Sequence, residues 1–242
     1  MTDPSRSAEV RENLRTVRLR IVAAAERAGR DPNTITLIAV TKFHPVTDAV
    51  LLAEAGVSDL GESRDQEASA KAAEFGRLTS APVRWHFVGR LQTNKARSVA
   101  RYADLVHSLD RPALVPALAA GASAAGREPL SVLIQVAFDS GAEGGSGRGG
   151  VPTSGIGELA DLVASRSELS LAGLMCVPPP ELDPDAVFAE LAEAAGRLRA
   201  EHPGATVLSA GMSGDLEAAV RHGATHVRVG TALLGRREQV FS

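Results

Sequence analysis

Cysteine, lysine and aromatic residues are all scarce in this 242-residue chain, and each scarcity excludes something. The single cysteine, Cys176, can form neither an internal disulfide nor a thiolate metal cluster, which fits a reducing compartment. Aromatic side chains make up 3% of the residues and the formal net charge is −3, so the basic stripe and stacking platforms of a nucleic-acid binder are missing. No stretch approaches the roughly 18 uninterrupted apolar residues of a membrane span, and the opening residues MTDPSRSAEV are polar without a signal-peptide core. These absences predict a cytoplasmic protein that engages neither nucleic acid nor membrane. A hydrophobic content of 44% beside 23% charged residues describes a chain that folds around one large core.

What is present is an alternation. Eight short runs rich in β-branched and apolar residues occupy 34–42, 57–63, 84–89, 105–110, 130–138, 169–177, 206–212 and 226–234. Several are apolar throughout, as strands covered on both faces should be. Between them, sets such as Val46/Ala49/Val50/Ala53, Ala96/Val99/Ala100/Ala103, Ile156/Leu159/Val163, Phe188/Leu191/Ala195/Leu198 and Leu216/Ala219/Val220 carry helical spacing. Eight β-α units with no second pattern predict one domain over 1–242, an α/β fold of the (β/α)8 TIM-barrel type. An open doubly wound sheet is the alternative.

Two irregularities refine this. Residues 7–29 read as an extra N-terminal helix, with Val10, Leu14, Val17, Ile21 and Ala25 on one stripe and Gly29 at its end. After the eighth run only 235–242 remain, too few for a crossover helix, so the N-terminal helix is expected to take that place in the outer ring. Residues 141–150 hold six of the 23 glycines, which predicts a mobile loop at the C-terminal rim, more simply a flexible linker than an active lid.

In such a barrel the functional residues stand at the C-terminal ends of strands. Of the 26 basic residues only Lys42, Lys71 and Lys95 are lysines, so a generic positive charge is almost always written as arginine here. Lys42 ends the segment LIAVTK. An amine in a partly desolvated pocket can lose its proton and form a Schiff base, which arginine cannot do. A rim lysine in solvent is the other reading. Lys71, four residues after Glu67, reads as a surface i,i+4 pair.

The segment SAGMSGD places Gly211, Ser213 and Gly214 in the turn opening the helix near Asp215, and RVGT places Gly230 and Thr231 at the end of the eighth strand. Close-approaching amides, hydroxyls and a helix start suit a phosphate, and the loops after strands seven and eight are its habitual seat in these barrels. By alternation His226, Arg228 and Gly230 point inward while Val227 and Val229 face the helices. Arg228 thus stands near the ligand, or else pairs with a carboxylate inside the barrel. His86 reads as a hydrogen-bonded core histidine, Trp85 and Phe87 as packing, and Cys176 as a small buried apolar side chain. A carbonyl-capturing lysine opposite a phosphate cradle calls for a phosphorylated aldehyde, and pyridoxal 5'-phosphate fits, with Arg228 available to the pyridine nitrogen.

These segments resemble the pyridoxal phosphate homeostasis proteins, a family related to the N-terminal barrel of alanine racemase. LIAVTKFHP is similar to that family's lysine segment, LGESRDQE to its GEN-type segment and WHFVGRLQTNK to its WHFIG-LQ-NK stretch, while GLMCVPPP, LSAGMSGDLEAAVRHGAT and HVRVGTALLG match its remaining blocks. The resemblance implies that Lys42 holds the cofactor as an internal aldimine. It further implies that amides and hydroxyls around Met212, Ser213, Gly230 and Thr231 grip the phosphate, and that Arg228 meets the ring nitrogen. The chain departs from the family at Ser63, where asparagine is usual near the cofactor, and at Gln135, Val136, Ala137, where the family shows QVN.

An arginine at the ring nitrogen favours the unprotonated ring and discourages carbanion chemistry. Racemisation also needs a second base, a tyrosine from another domain in alanine racemase, and the one tyrosine here, Tyr102, lies in the helix leading away from the third strand. The expectation is a monomeric carrier that stores, buffers or delivers the cofactor, with PLP-dependent apo-enzymes as the recipients of any delivery. The alternatives are a PLP-dependent amino-acid enzyme of the alanine racemase type and a Schiff-base aldolase. Whether Lys95 or the helix near Thr93 makes a second cofactor site stays open.

Overall fold

The computed structural model describes residues 4–138 and 149–235. Eight parallel strands run β1 (Thr36–Val40), β2 (Asp59–Glu62), β3 (Arg84–Phe87), β4 (Leu105–Leu109), β5 (Leu130–Val136), β6 (Leu169–Cys176), β7 (Val207–Ser209) and β8 (His226–Val229). Each pairs with the next, and β8 returns to β1 with Thr36 opposite His226 and Ala39 opposite Val229, closing the barrel. The helices α1 (Pro4–Arg27), α2 (Val46–Glu54), α3 (Asp65–Leu78), α4 (Ala96–Tyr102), α5 (Leu114–Ala125), α6 (Ile156–Ala164), α7 (Pro184–Glu201), α8 (Leu216–Arg221) and α9 (Thr231–Leu234) surround it. The TIM-type barrel expected from the alternation is the fold observed, and the open sheet is excluded by closure.

Local chemistry sets the boundaries. Asp183 caps α7 by accepting from the Asp185 amide at 3.1 Å, with Pro184 pre-set at the first helical position. The α5 helix stops where Gly126 takes a left-handed conformation, φ 62°. The observed strands are shorter than the runs that announced them. The last run, 226–234, yields strand only to Val229, because 231–234 turn into the single turn α9.

Most of the buried apolar residues lie between strands and helices, while Leu105, Leu133 and Met175 form a smaller separate cluster. Polar side chains are buried with them: Asp59, His86, His107, Ser209 and Arg228. The N-terminal helix occupies the place foreseen for it. Val10, Leu14, Val17 and Ile21 are buried, and α1 packs on α8, α9 and α2. It is also tied by side chains: Asn13 Nδ2 donates to Leu233 O at 2.9 Å, Arg20 pairs with Glu217 at 2.9 Å, and Arg6 pairs with Asp48 at 2.6 Å. Of the glycine-rich segment 141–150, residues 141–148 lie outside the described residues. Among the described residues no helix is long and apolar enough to cross a membrane.

Since Leu14 seals α1 against the ring, Leu14→Ala is expected to cost about 2–5 kcal/mol of unfolding free energy, read from a urea midpoint. A midpoint unchanged from the parent would show that α1 is not part of the sealed shell.

Candidate functional site

A cavity of about 770 Å³ opens at the C-terminal ends of β1, β2, β7 and β8. Its walls include Lys42, His44, Ser63, Met212, Ser213, Arg228, Gly230 and Thr231. Every residue singled out from the sequence as a cofactor contact therefore faces one space. Barrel closure explains the convergence, since β1 lies between β2 and β8 and all strands end on the same side. The approach of β8 to β1 is close at that rim: a Cβ on Gly230 would stand 3.1 Å from Val40 O.

Lys42 stands two residues beyond the end of β1 and is exposed, with no hydrogen bond or ion pair to the described residues. Of the two readings of this amine, partly desolvated in a pocket or at the rim in solvent, the structure shows the second and corrects the first. The strand ends at Val40, so Lys42 sits on the turn above the rim and reaches over the cavity rather than rising from inside it. Two peptide bonds around it are anchored. Thr41 N donates to Gly61 O at 2.9 Å and His44 N donates to Thr41 O at 3.0 Å. Phe43, between them, is the described non-glycine residue with positive φ, 65°. The guanidinium of Arg64 lies 4.7 Å from the centre of the Phe43 ring.

Arg228 is buried at the base of the cavity. Its Nη1 donates to Ser209 Oγ at 2.6 Å and its Nη2 to Cys176 O at 2.8 Å. It makes no ion pair with a carboxylate among the described residues, which sets aside the reading of a buried salt bridge. Burial lowers its pKa from the ordinary value. Beneath it a chain of hydrogen bonds crosses the barrel. Ser209 Oγ meets His107 Nδ1 at 3.0 Å, His107 Nε2 meets His86 Nδ1 at 2.9 Å, and His86 Nε2 meets Asp59 Oδ1 at 2.8 Å. Burial alone would raise the Asp59 carboxyl, yet the bonds from His86 and Ser58 outweigh it and hold it below the usual range. His86 is thus the hydrogen-bonded core residue that was expected, with Trp85 and Phe87 buried beside it. Cys176 is buried, and that burial pushes its thiol up to about 12.

On the opposite wall, the Ser213, Gly214 and Thr231 amides have no hydrogen-bond acceptor among the described residues, and the hydroxyls of Ser63, Ser213 and Thr231 are likewise uncommitted. The Met212 amide differs. It donates to Asp215 Oδ1 at 2.6 Å, so Met212 contributes a half-exposed apolar wall rather than an open donor.

Lys71 is the clearest correction. It does pair with Glu67 at 3.0 Å, but it is buried, and its ammonium also donates to Glu62 Oε1 at 2.5 Å and Thr41 O at 2.8 Å. The face of α3 that carries it packs toward β2, where a fully buried Glu62 needs a cation. Burial raises the Glu62 carboxyl, against the lowering effect of Lys71 and Thr41. His44, which the sequence reading passed over, lines the cavity 3.4 Å from Asp48. Tyr102 lies at the end of α4, outside the cavity, with its phenol pushed up by burial and by Asp65 and Glu62. Lys95 and Thr93 belong to a neighbouring cleft of about 800 Å³ that shares Ser63 with the first. Gln135 is tied by Nε2 to Gly149 O at 3.0 Å, and Ala137 N to Val151 O at 2.8 Å.

Comparison with known proteins gives the chain its family. The family model described as alanine racemase, N-terminal domain, matches residues 9–238. A pyridoxal phosphate homeostasis protein of Mycobacterium bovis is 47% identical over 97% of this chain and 95% of its own length. The one from Escherichia coli K12 is 38% identical over 95% and 97%. The chain belongs to the pyridoxal phosphate homeostasis protein family. Among solved structures of similar proteins is PipY of Synechococcus elongatus with PLP bound, 33% identical, covering 93% of this chain and all of that one at a TM-score of 0.76.

The buried histidines make a pH prediction. Burial pushes His226 down to about 4 and His107 well below its ordinary 6.5. Unfolded histidines take up protons near pH 6.5, so between about pH 6.5 and 4 the unfolded chain binds more protons and stability falls as pH falls. The urea midpoint should drop through that window, and drop less in His226→Asn. An equal drop in both proteins would show that His226 does not titrate as its burial implies.

Proposed function

We propose that residues 1–242 act as one cofactor-binding domain that holds pyridoxal 5'-phosphate in the 770 Å³ cavity and serves its storage, buffering or delivery rather than a reaction of its own. The observation that carries this is the convergence, in one space, of an uncommitted lysine amine, a buried arginine without a carboxylate partner, and a wall of open amides and hydroxyls.

The residues fit the group. Ser213, Gly214 and Thr231 offer donors to a phosphate, and Arg228, which can only donate, would face an unprotonated ring nitrogen. When bound, the cofactor supplies an aldehyde that condenses with an amine and releases water. Lys42 provides that amine, held at the rim by the anchored turn around it. Ser63 leaves a hydroxyl where the resemblance implies an asparagine, so any contact there is shorter in reach. Arg228 in place of an acidic partner disfavours the protonated ring on which carbanion chemistry depends, and Tyr102 stands outside the cavity. These features support a carrier. We assign it to the cytoplasm as a monomer, with PLP-dependent apo-enzymes as the acceptors of delivered cofactor.

Purified protein mixed with the vitamer should become yellow, and borohydride should fix one cofactor to the peptide containing Lys42. Lys42→Ala should lose both the colour and the fixed adduct. Retention of a borohydride-fixed cofactor at full stoichiometry in Lys42→Ala would overturn the assignment. Amino acids added in deuterated water should keep their α-protons by NMR, whereas steady exchange would identify a catalyst.

A further inference from the structure

The peptide groups on either side of Lys42 are held by one buried ion cluster, and the following inference rests on the role proposed for Lys42. Lys71 Nζ donates to Thr41 O, the carbonyl immediately before Lys42, at 2.8 Å. The same ammonium donates to Glu67 Oε1 at 3.0 Å, and that oxygen accepts the Phe43 amide, immediately after Lys42, at 2.5 Å. Its third bond goes to Glu62 Oε1 at 2.5 Å, which also accepts the Thr41 hydroxyl at 2.6 Å. Residue 41 is therefore tied to both α3 and β2 and residue 43 to α3, while residue 42 is left unbound between them. Phe43 is held at φ 65°, a conformation that a side chain with a Cβ rarely adopts without such restraint.

We propose that Lys71, with Glu67 and Glu62, is a positioning device that turns Lys42 toward the cavity. The choice of lysine supports it. An ammonium has three donors and no acceptor, and three acceptors converge on Lys71 Nζ; the planar fork of arginine cannot meet three oxygens around a point. In a chain with three lysines among 26 basic residues, this accounts for the second of them on the same ground as the first: its chemistry is one arginine does not supply. Lys71 touches no cofactor position itself, since it does not line the cavity.

The test separates aiming from binding. Wild type, Lys71→Arg, Glu67→Ala and Glu67→Gln are compared for the rate at which borohydride fixes pyridoxal 5'-phosphate at Lys42. They are also compared for their affinity toward pyridoxine 5'-phosphate, an alcohol that cannot condense. Lys71→Arg and Glu67→Ala should slow fixation by about 10- to 100-fold, the cost of a misplaced reacting group, with affinity for the alcohol unchanged. Glu67→Gln keeps an acceptor for the Phe43 amide and should fix cofactor near the wild-type rate. Independently of any cofactor, amide exchange at Phe43 should accelerate in Glu67→Ala and stay slow in Glu67→Gln. Should Lys71→Arg fail to fold, Glu67→Ala, at a half-buried position, carries the test alone. Fixation at the wild-type rate in Lys71→Arg or Glu67→Ala would overturn the proposal, as would a loss of alcohol affinity in parallel with fixation. Wild-type protein that fixes nothing at Lys42 would instead overturn the functional reading, and the Phe43 exchange would still report on the clamp.

Discussion

The pairing of the first strand with the last is the constraint on which the rest depends. Thr36 to Ala39 lie in parallel register with His226 to Val229, so a lysine near the start of the chain and a glycine-threonine turn near its end share one rim. A parallel barrel sends every strand's C-terminal end to the same face, and the loops there can be varied without disturbing the shell beneath. The N-terminal helix completes that shell. Among the described residues one turn of helix, α9, follows β8, and α1 packs beside it between α8 and α2 with Val10, Leu14, Val17 and Ile21 buried.

The barrel interior is organised by charge as much as by packing. Arg228 supplies a buried positive charge below the cavity, and its nearest buried acceptors are a serine hydroxyl and a backbone carbonyl rather than a carboxylate. At the far end of a chain through Ser209, His107 and His86 stands the buried Asp59, which also pairs with Arg84 at 2.7 Å. Leaving such groups unpaired in the interior would be costly, and here each finds a partner. The upper rim repeats the arrangement with Lys71 between Glu62 and Glu67. Two polar networks thus support the two residues that matter most for the proposed chemistry, Arg228 from below and Lys42 from the side.

Much of this was legible in the residues. Eight apolar runs separated by helical spacing led to a barrel, and the stripe Val10, Leu14, Val17, Ile21 and Ala25 led to a helix with one buried face, as α1 has. Alternation in HVRVG correctly sent Arg228 inward and the valines outward. What was not legible depended on contacts across the fold. The i,i+4 spacing of Glu67 and Lys71 is that of a solvent-exposed pair, and only the packing of α3 on β2 buries Lys71 against Glu62 and Thr41. The rarity of lysine was a usable signal for Lys71, as it was for Lys42, but was applied to one of them only. Strand ends were overdrawn because an apolar run cannot show where the backbone turns, as at Gly230, where β8 gives way to a helical turn. The sequence left two readings of Lys42, sheltered or at the rim in solvent, and could not choose between them, since exposure at a rim depends on where the preceding strand stops.

The central claim is that this rim seats the vitamin B6 aldehyde. A crystal structure of the protein grown with pyridoxal 5'-phosphate tests it most directly. The account predicts continuous density from Lys42 Nζ to the cofactor, with the phosphate among Ser213, Gly214 and Thr231 and the ring nitrogen toward Arg228. A bare Lys42 with the cofactor seated elsewhere, for instance in the neighbouring cleft beside Lys95, would contradict it.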